Sequence, residues 1–153
     1  MNLELKRLAV NGLSMPYADV GDGDTVVFVH GAICDHRIWE PQLTGFEGPF
    51  RRIALNQRYF GLDPWLDRPS REWRETHVAD LIAFLQTLGV GPVHLVGSSY
   101  GGEVVLAAAR ADGGLDRDRS RRPGYAAAGA RGCVACRQRP QGRRRPACHA
   151  AVC

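Results

Sequence analysis

The sequence predicts an α/β fold, a mostly parallel sheet with flanking helices, built from residues 1–109 of a chain of 153. Three observations carry this. Two short runs, the continuously apolar 25–29 and the largely apolar 92–96, have the character of strands buried in a sheet. A helical apolar stripe separates them. Beyond residue 109 the composition changes so abruptly that the rest, 110–153, reads as a disordered tail.

Taken in order, residues 3–10 end at Asn11-Gly12, and residues 13–20 end at Gly21-Asp22-Gly23-Asp24. This is a pair of strands joined by a hairpin turn. Pro16 has no N–H to give to a neighbour, which places the second strand at a sheet edge. The Gly-Asp-Gly-Asp run lacks the later glutamate of a calcium loop and reads as a turn. Thr25-Val26-Val27-Phe28-Val29 runs directly into His30-Gly31 and is the central strand. Residues 51–55 form another strand, and Pro92-Val93-His94-Leu95-Val96 a further buried one that stops at Gly97. Between them Val78, Leu81, Ile82, Leu85 and Leu88 share one face of a helix over 75–88, terminated by Gly89. Residues 103–110, rich in Ala and Val, continue as a helix. Alternating strands and helices of this kind bind ligands at the carboxyl ends of the strands.

The chain holds 20 Lys and Arg against 16 Asp and Glu. Residues 1–109 contain 9 and 13 of these, residues 110–153 the remaining 11 and 3. In the latter stretch Leu115 is the only Leu, Ile, Phe, Trp or Met, too little apolar surface to offset the entropy of ordering a backbone. The N-terminal residues alternate in character, so neither a signal peptide nor a membrane span is expected and the cytoplasm is the default compartment. Only Cys34 of five cysteines lies before the tail, which speaks against a disulfide framework.

The strongest chemical signal is Gly97-Ser98-Ser99-Tyr100-Gly101, a G-x-S-x-G between a buried strand and a helix. Glycines on both sides permit a tight turn that thrusts the middle side chain outward, so Ser99 is the candidate nucleophile and Ser98 a bystander. The following helix aims its free N–H groups at the site, where they favour an oxyanion. The Tyr100 N–H is one expected donor. The second is the Ala32 N–H, on the loop after the central strand, with His30 and Gly31 bracing that loop.

These features resemble the α/β-hydrolase family, in the form where an H-G motif precedes the oxyanion loop and G-x-S-x-G carries the nucleophile. The resemblance covers residues 1–109, the N-terminal part of such a domain, and includes Trp39 and the segment Asn56-Gln57-Arg58-Tyr59-Phe60-Gly61, similar to the family's D-x-R-G-x-G loop but departing from it at Asn56 and Tyr59. It implies a serine hydrolase acting on small-molecule, ester-like substrates through an acyl-enzyme. An aspartate at the elbow would instead have implied dehalogenase or epoxide-hydrolase chemistry. Serine acyl transfer calls for no cofactor and no metal.

The family's order of nucleophile, acid, histidine leaves Asp116 and His149 as candidates after Ser99, on a tail without a strand-like run to hold them. The chain is therefore expected to be inactive. Of the other histidines, His36 could face the pocket, His77 reads as a solvated or a helix-start residue, and His94 as a half-buried strand residue. Without further strands, residues 92–96 would be left as an exposed sheet edge.

Three readings compete for the tail. Cys133, Cys136, Cys148, His149 and Cys153 include zinc-ligand types, but at irregular spacing and without an apolar knuckle. Eleven arginines would attract a nucleic acid or another polyanion in a non-catalytic protein, although Tyr125 alone offers stacking. The third reading is translation of GC-rich DNA in a shifted frame; another frame of the same DNA would then continue the strand and helix pattern.

Overall fold

The computed structural model describes residues 3–45, 48–61, 73–90 and 93–111, together with the backbone of 133–137 and 151–152. Strands β1 (Leu5–Val10) and β2 (Leu13–Val20) form the expected hairpin. Asn11 and Gly12 both have positive φ, 47° and 77°, the turn that matches the twist of paired strands. Strand β3 (Asp24–Val29) leads through a 3₁₀ turn (His36–Trp39) to α1 (Glu40–Gly45) and β4 (Phe50–Leu55). Helix α2 (Trp73–Leu88), strand β5 (Val93–Ser98) and helix α3 (Tyr100–Ala111) follow.

The sheet order is β1-β2-β4-β3-β5 and then two short strands, β6 (Cys133–Arg137) and β7 (Ala151–Val152). It is a mixed sheet. Its centre, β4-β3-β5, is parallel as expected, while the hairpin joins β4 antiparallel. Side chains alternate along β3: Val27 and Val29 belong to a core with α2 and α3, Val26 and Phe28 to a smaller one with Trp39 and Leu43. Both faces of the central strand are therefore covered, which is why its sequence is continuously apolar.

Strand β2 is not at the edge, contrary to the reading of Pro16. Its ladder with β4 starts at Tyr17, one residue later. The Pro16 carbonyl accepts the Asn56 N–H at 2.9 Å, so this face of Pro16 points to where β4 has already ended. The missing N–H therefore removes no bond from the β2–β4 ladder.

Two short segments of the tail lie beside β5. Cys133–Arg137 pairs antiparallel with β5, with Cys133 opposite Ser98, and Ala151–Val152 pairs parallel with it. An open strand edge recruits pairing through main-chain N–H and C=O groups, which needs no apolar run. The edge of β5 is covered along these registers. Asp116, Cys148, His149 and Cys153 lie outside the described residues, as do the side chains of Cys133 and Cys136. No helix among the described residues is long and apolar enough to cross a membrane.

Phe84 is the centre of the larger core. It is fully buried and meets the Tyr17 ring edge-on at 5.3 Å, joining α2 to the hairpin. Phe84→Ala is expected to lower unfolding stability by about 3–5 kcal/mol, read from the urea midpoint, because the packed sheet cannot collapse into the space left.

Candidate active site

Ser99 is the single residue between β5 and α3, and its φ is +52°. A left-handed backbone at a non-glycine residue costs roughly 1–3 kcal/mol and persists only where its surroundings dictate it. Here they do. A Cβ on Gly101 would run into the main-chain carbonyls of Val29 and His30, lying 2.8 Å from the Val29 carbonyl carbon. A Cβ on Gly97 would fall onto the Gly101 carbonyl and 2.7 Å from Gly102 Cα. The end of β3, the end of β5 and the first turn of α3 are thus in main-chain contact, and the chain can turn between β5 and α3 only through the conformation that exposes Ser99. Inside α3 the Gly102 N–H closes the turn on the Ser99 carbonyl at 2.9 Å.

The loop after β3 passes beside the serine. A Cβ on Gly31 would stand 3.2 Å from Ser99 Cβ and 3.8 Å from Ser99 Oγ. Ala32 and Ile33 come next. Ile33 has φ +54° and is 96% exposed, an unusual conformation for a β-branched residue.

His30 is fully buried and braces this loop. Its Nδ1–H donates to the Gly31 carbonyl at 2.7 Å, and its Nε2 accepts the Gln57 N–H at 3.0 Å. The Gln57 side-chain amide returns a bond to the His30 carbonyl at 2.6 Å. His36 does not reach the serine by its Nδ1, which with its main-chain N–H binds Asn56 Oδ1 at 3.0 and 2.7 Å. Asn56 is thus an acceptor for the 3₁₀ turn, whose other cap is Asp35, held near pKa 2 by the hydrogen-bonded Arg37 guanidinium. The loop turns through Tyr59 and Gly61, with φ +66° and +78°.

His77 is not solvated. It is 2% exposed, with Nε2–H donating to the Arg58 carbonyl at 2.9 Å and Nδ1 accepting the Tyr100 hydroxyl at 2.7 Å. The signal was in the periodicity: His77 and Asp80 share the α2 face of Leu81 and Phe84, and a polar residue on that face must be buried with partners. Asp80 receives Arg58 Nε and Nη2 at 2.8 and 2.9 Å and Asn11 Nδ2 at 2.8 Å. His94 is half-buried, as expected. Among the described residues no group of three His, Cys, Asp or Glu side chains is arranged to hold a metal.

A sheet whose central parallel strands aim at a serine on a strained strand-to-helix turn, beside a histidine-braced loop, defines the α/β-hydrolase class of fold and site. The chain belongs to the alpha/beta hydrolase family, whose model matches residues 26–151. It is 33% identical over 100 residues to Epoxide hydrolase 2 of Siraitia grosvenorii, covering 65% of this chain and 32% of that protein. It is 30% identical over 105 residues to 2-(acetamidomethylene)succinate hydrolase of Mesorhizobium japonicum, covering 68% and 37%. The crystal structure of an epoxide hydrolase from Vigna radiata superposes with a TM-score of 0.65 at 28% identity, over 71% of this chain and 35% of the other. The chain spans about a third of the length of these relatives.

Burial pushes the His30 and His77 rings below their ordinary value of 6.5, since a charge there would lose its water. Between that lowered range and pH 6.5 the unfolded chain binds more protons than the folded one. Stability contributed by these rings is full above pH 6.5 and declines as pH falls below it. The urea midpoint is therefore expected to drop between pH 7.5 and 5.5; a midpoint that stays flat or rises would contradict the neutral, buried assignment of both rings.

Proposed function

We propose that this protein carries out hydrolase chemistry of the acyl-transfer type through Ser99. The substrate is a small molecule with an ester-like bond. Oγ attacks the carbonyl carbon, the alcohol leaves with a proton, and water then hydrolyses the acyl-serine. The Tyr100 and Ala32 N–H groups receive the oxyanion, with Gly31, Gly97, Gly101 and His30 setting their positions. The single observation that supports this most is the positive φ of Ser99 at the turn between β5 and α3.

The nucleophile argues against epoxide opening, although two of the relatives are named as epoxide hydrolases. A serine that opened an epoxide would be left as an alkyl ether, which water does not cleave under mild conditions. A serine acylated by an ester is left as an ester, and turns over.

The acyl-transfer step needs a base for the serine proton. His30 and His77 both have their two ring nitrogens committed to other groups. Asp116 and His149 are the candidates by chain order, outside the described residues. Among the described residues no histidine is shown engaging Ser99, and slow acylation is the expected behaviour of the 153-residue chain.

A fluorophosphonate reagent read by intact mass and peptide mapping tests both parts. The expected result is one adduct, on Ser99, formed about 10²–10⁴ times more slowly than on a base-assisted serine hydrolase and absent from Ser99→Ala. An adduct that survives Ser99→Ala would remove the nucleophile assignment. Labelling as fast as a base-assisted enzyme would overturn the slow acylation.

A further inference from the structure

We propose that His77 and Tyr100 form a positioning pair, in which the Tyr100 hydroxyl, held on the buried His77 ring, fixes the first turn of α3 and with it the Tyr100 N–H beside Ser99. The consequence for acylation rests on the proposed role of Ser99; the positioning itself does not.

Tyr100 is the first residue of α3 and the neighbour of Ser99 in sequence. Its side chain does not hang free. The hydroxyl donates to His77 Nδ1 at 2.7 Å, and Trp73 stacks on the ring at 5.1 Å with planes 15° apart. His77 can accept that proton in one tautomer only. Its Nε2 must carry hydrogen to meet the Arg58 carbonyl, which leaves the Nδ1 lone pair facing Tyr100. Arg58 is in turn fixed by Asp80, and Asp80 by Asn11, so the bonds run unbroken from the elbow to the β1–β2 turn.

Packing alone would not ask for these polar groups. The pocket around them is aromatic: Phe60 lies 5.5 Å from His77 and 6.2 Å from Tyr100, and Trp73 5.8 Å from His77. Two phenylalanines would fill it without a buried donor and acceptor to match. What a directional bond adds is a fixed rotation of the Tyr100 side chain and of the helical turn that bears it.

The same loop also controls the opposite side of the site. Gln57 holds His30 by its main-chain N–H, and Arg58, the next residue, holds His77 by its carbonyl. Two consecutive residues thus set both histidines, one behind each expected oxyanion donor.

The test uses the full chain with Tyr100→Phe, which keeps the stacked ring, His77→Leu, and His77→Gln, whose amide can accept from Tyr100 and donate to Arg58. Two quantities are read: hydrogen exchange of the Gly102 amide by NMR, and the rate of fluorophosphonate labelling. Tyr100→Phe and His77→Leu are expected to speed Gly102 exchange at least ~10-fold, with exchange in β3 and β4 unchanged. They are expected to slow labelling by up to about 10²-fold. His77→Gln should restore both. If even the unaltered chain takes no label, the acyl-transfer reading fails and Gly102 exchange alone decides the pair. The proposal is overturned if Gly102 exchange in Tyr100→Phe matches the unaltered chain, if exchange accelerates equally throughout the sheet, or if His77→Gln behaves as His77→Leu.

Discussion

The close approach of the β5-to-α3 turn to the end of β3 is the constraint on which the site depends. Gly101 lies against the carbonyls of Val29 and His30, and Gly97 against Gly101, with no room for a side chain at either. Three main-chain segments in contact leave the intervening residue one way to turn, and Ser99 takes it at φ +52°. Strain of roughly 1–3 kcal/mol at one residue is small beside the burial of the strands and helix that impose it. The serine is exposed because everything beside it is packed.

That packing is backed by polar groups buried with their partners. His30 and His77 are nearly inaccessible, and each spends one ring nitrogen as donor and the other as acceptor. The tautomers are opposite: His30 carries its proton on Nδ1, His77 on Nε2. Each buried imidazole is worth only about 1 kcal/mol per bond made, but leaving one unmade costs more. The arrangement is therefore specific rather than merely stabilising, and it converges on the short segment of Gln57 and Arg58. Burial that depresses both rings also raises the Tyr100 hydroxyl to about 12, so it is a donor at neutral pH.

The strands and helices were legible because apolar runs and a 3.6-residue stripe have few other uses. The G-x-S-x-G was legible as an elbow because of what flanked it, a buried strand and a helix. Pro16 misled, since a proline forbids one hydrogen bond and not a strand, and the ladder to β4 starts just beyond it. His77 and Asp80 were hidden by their own polarity: a helical stripe sought through Val, Leu and Ile passes over a histidine, though both sit on the face of Leu81 and Phe84. The pairing of β6 and β7 on β5 left no trace in hydropathy, because an edge is satisfied by backbone. Asn56, read as a departure from a family loop, still supplies an acceptor, for His36.

Ser99 is left-handed, and its proposed place is between the main-chain N–H groups of Tyr100 and Ala32. A crystal structure of the chain carrying a phosphonate on Ser99 tests it most directly. A positive φ at Ser99 and a phosphonyl oxygen about 2.7–3.1 Å from the nitrogens of both Tyr100 and Ala32 are expected. A Ser99 relaxed to negative φ, or a phosphonyl oxygen turned to solvent away from those nitrogens, would contradict it.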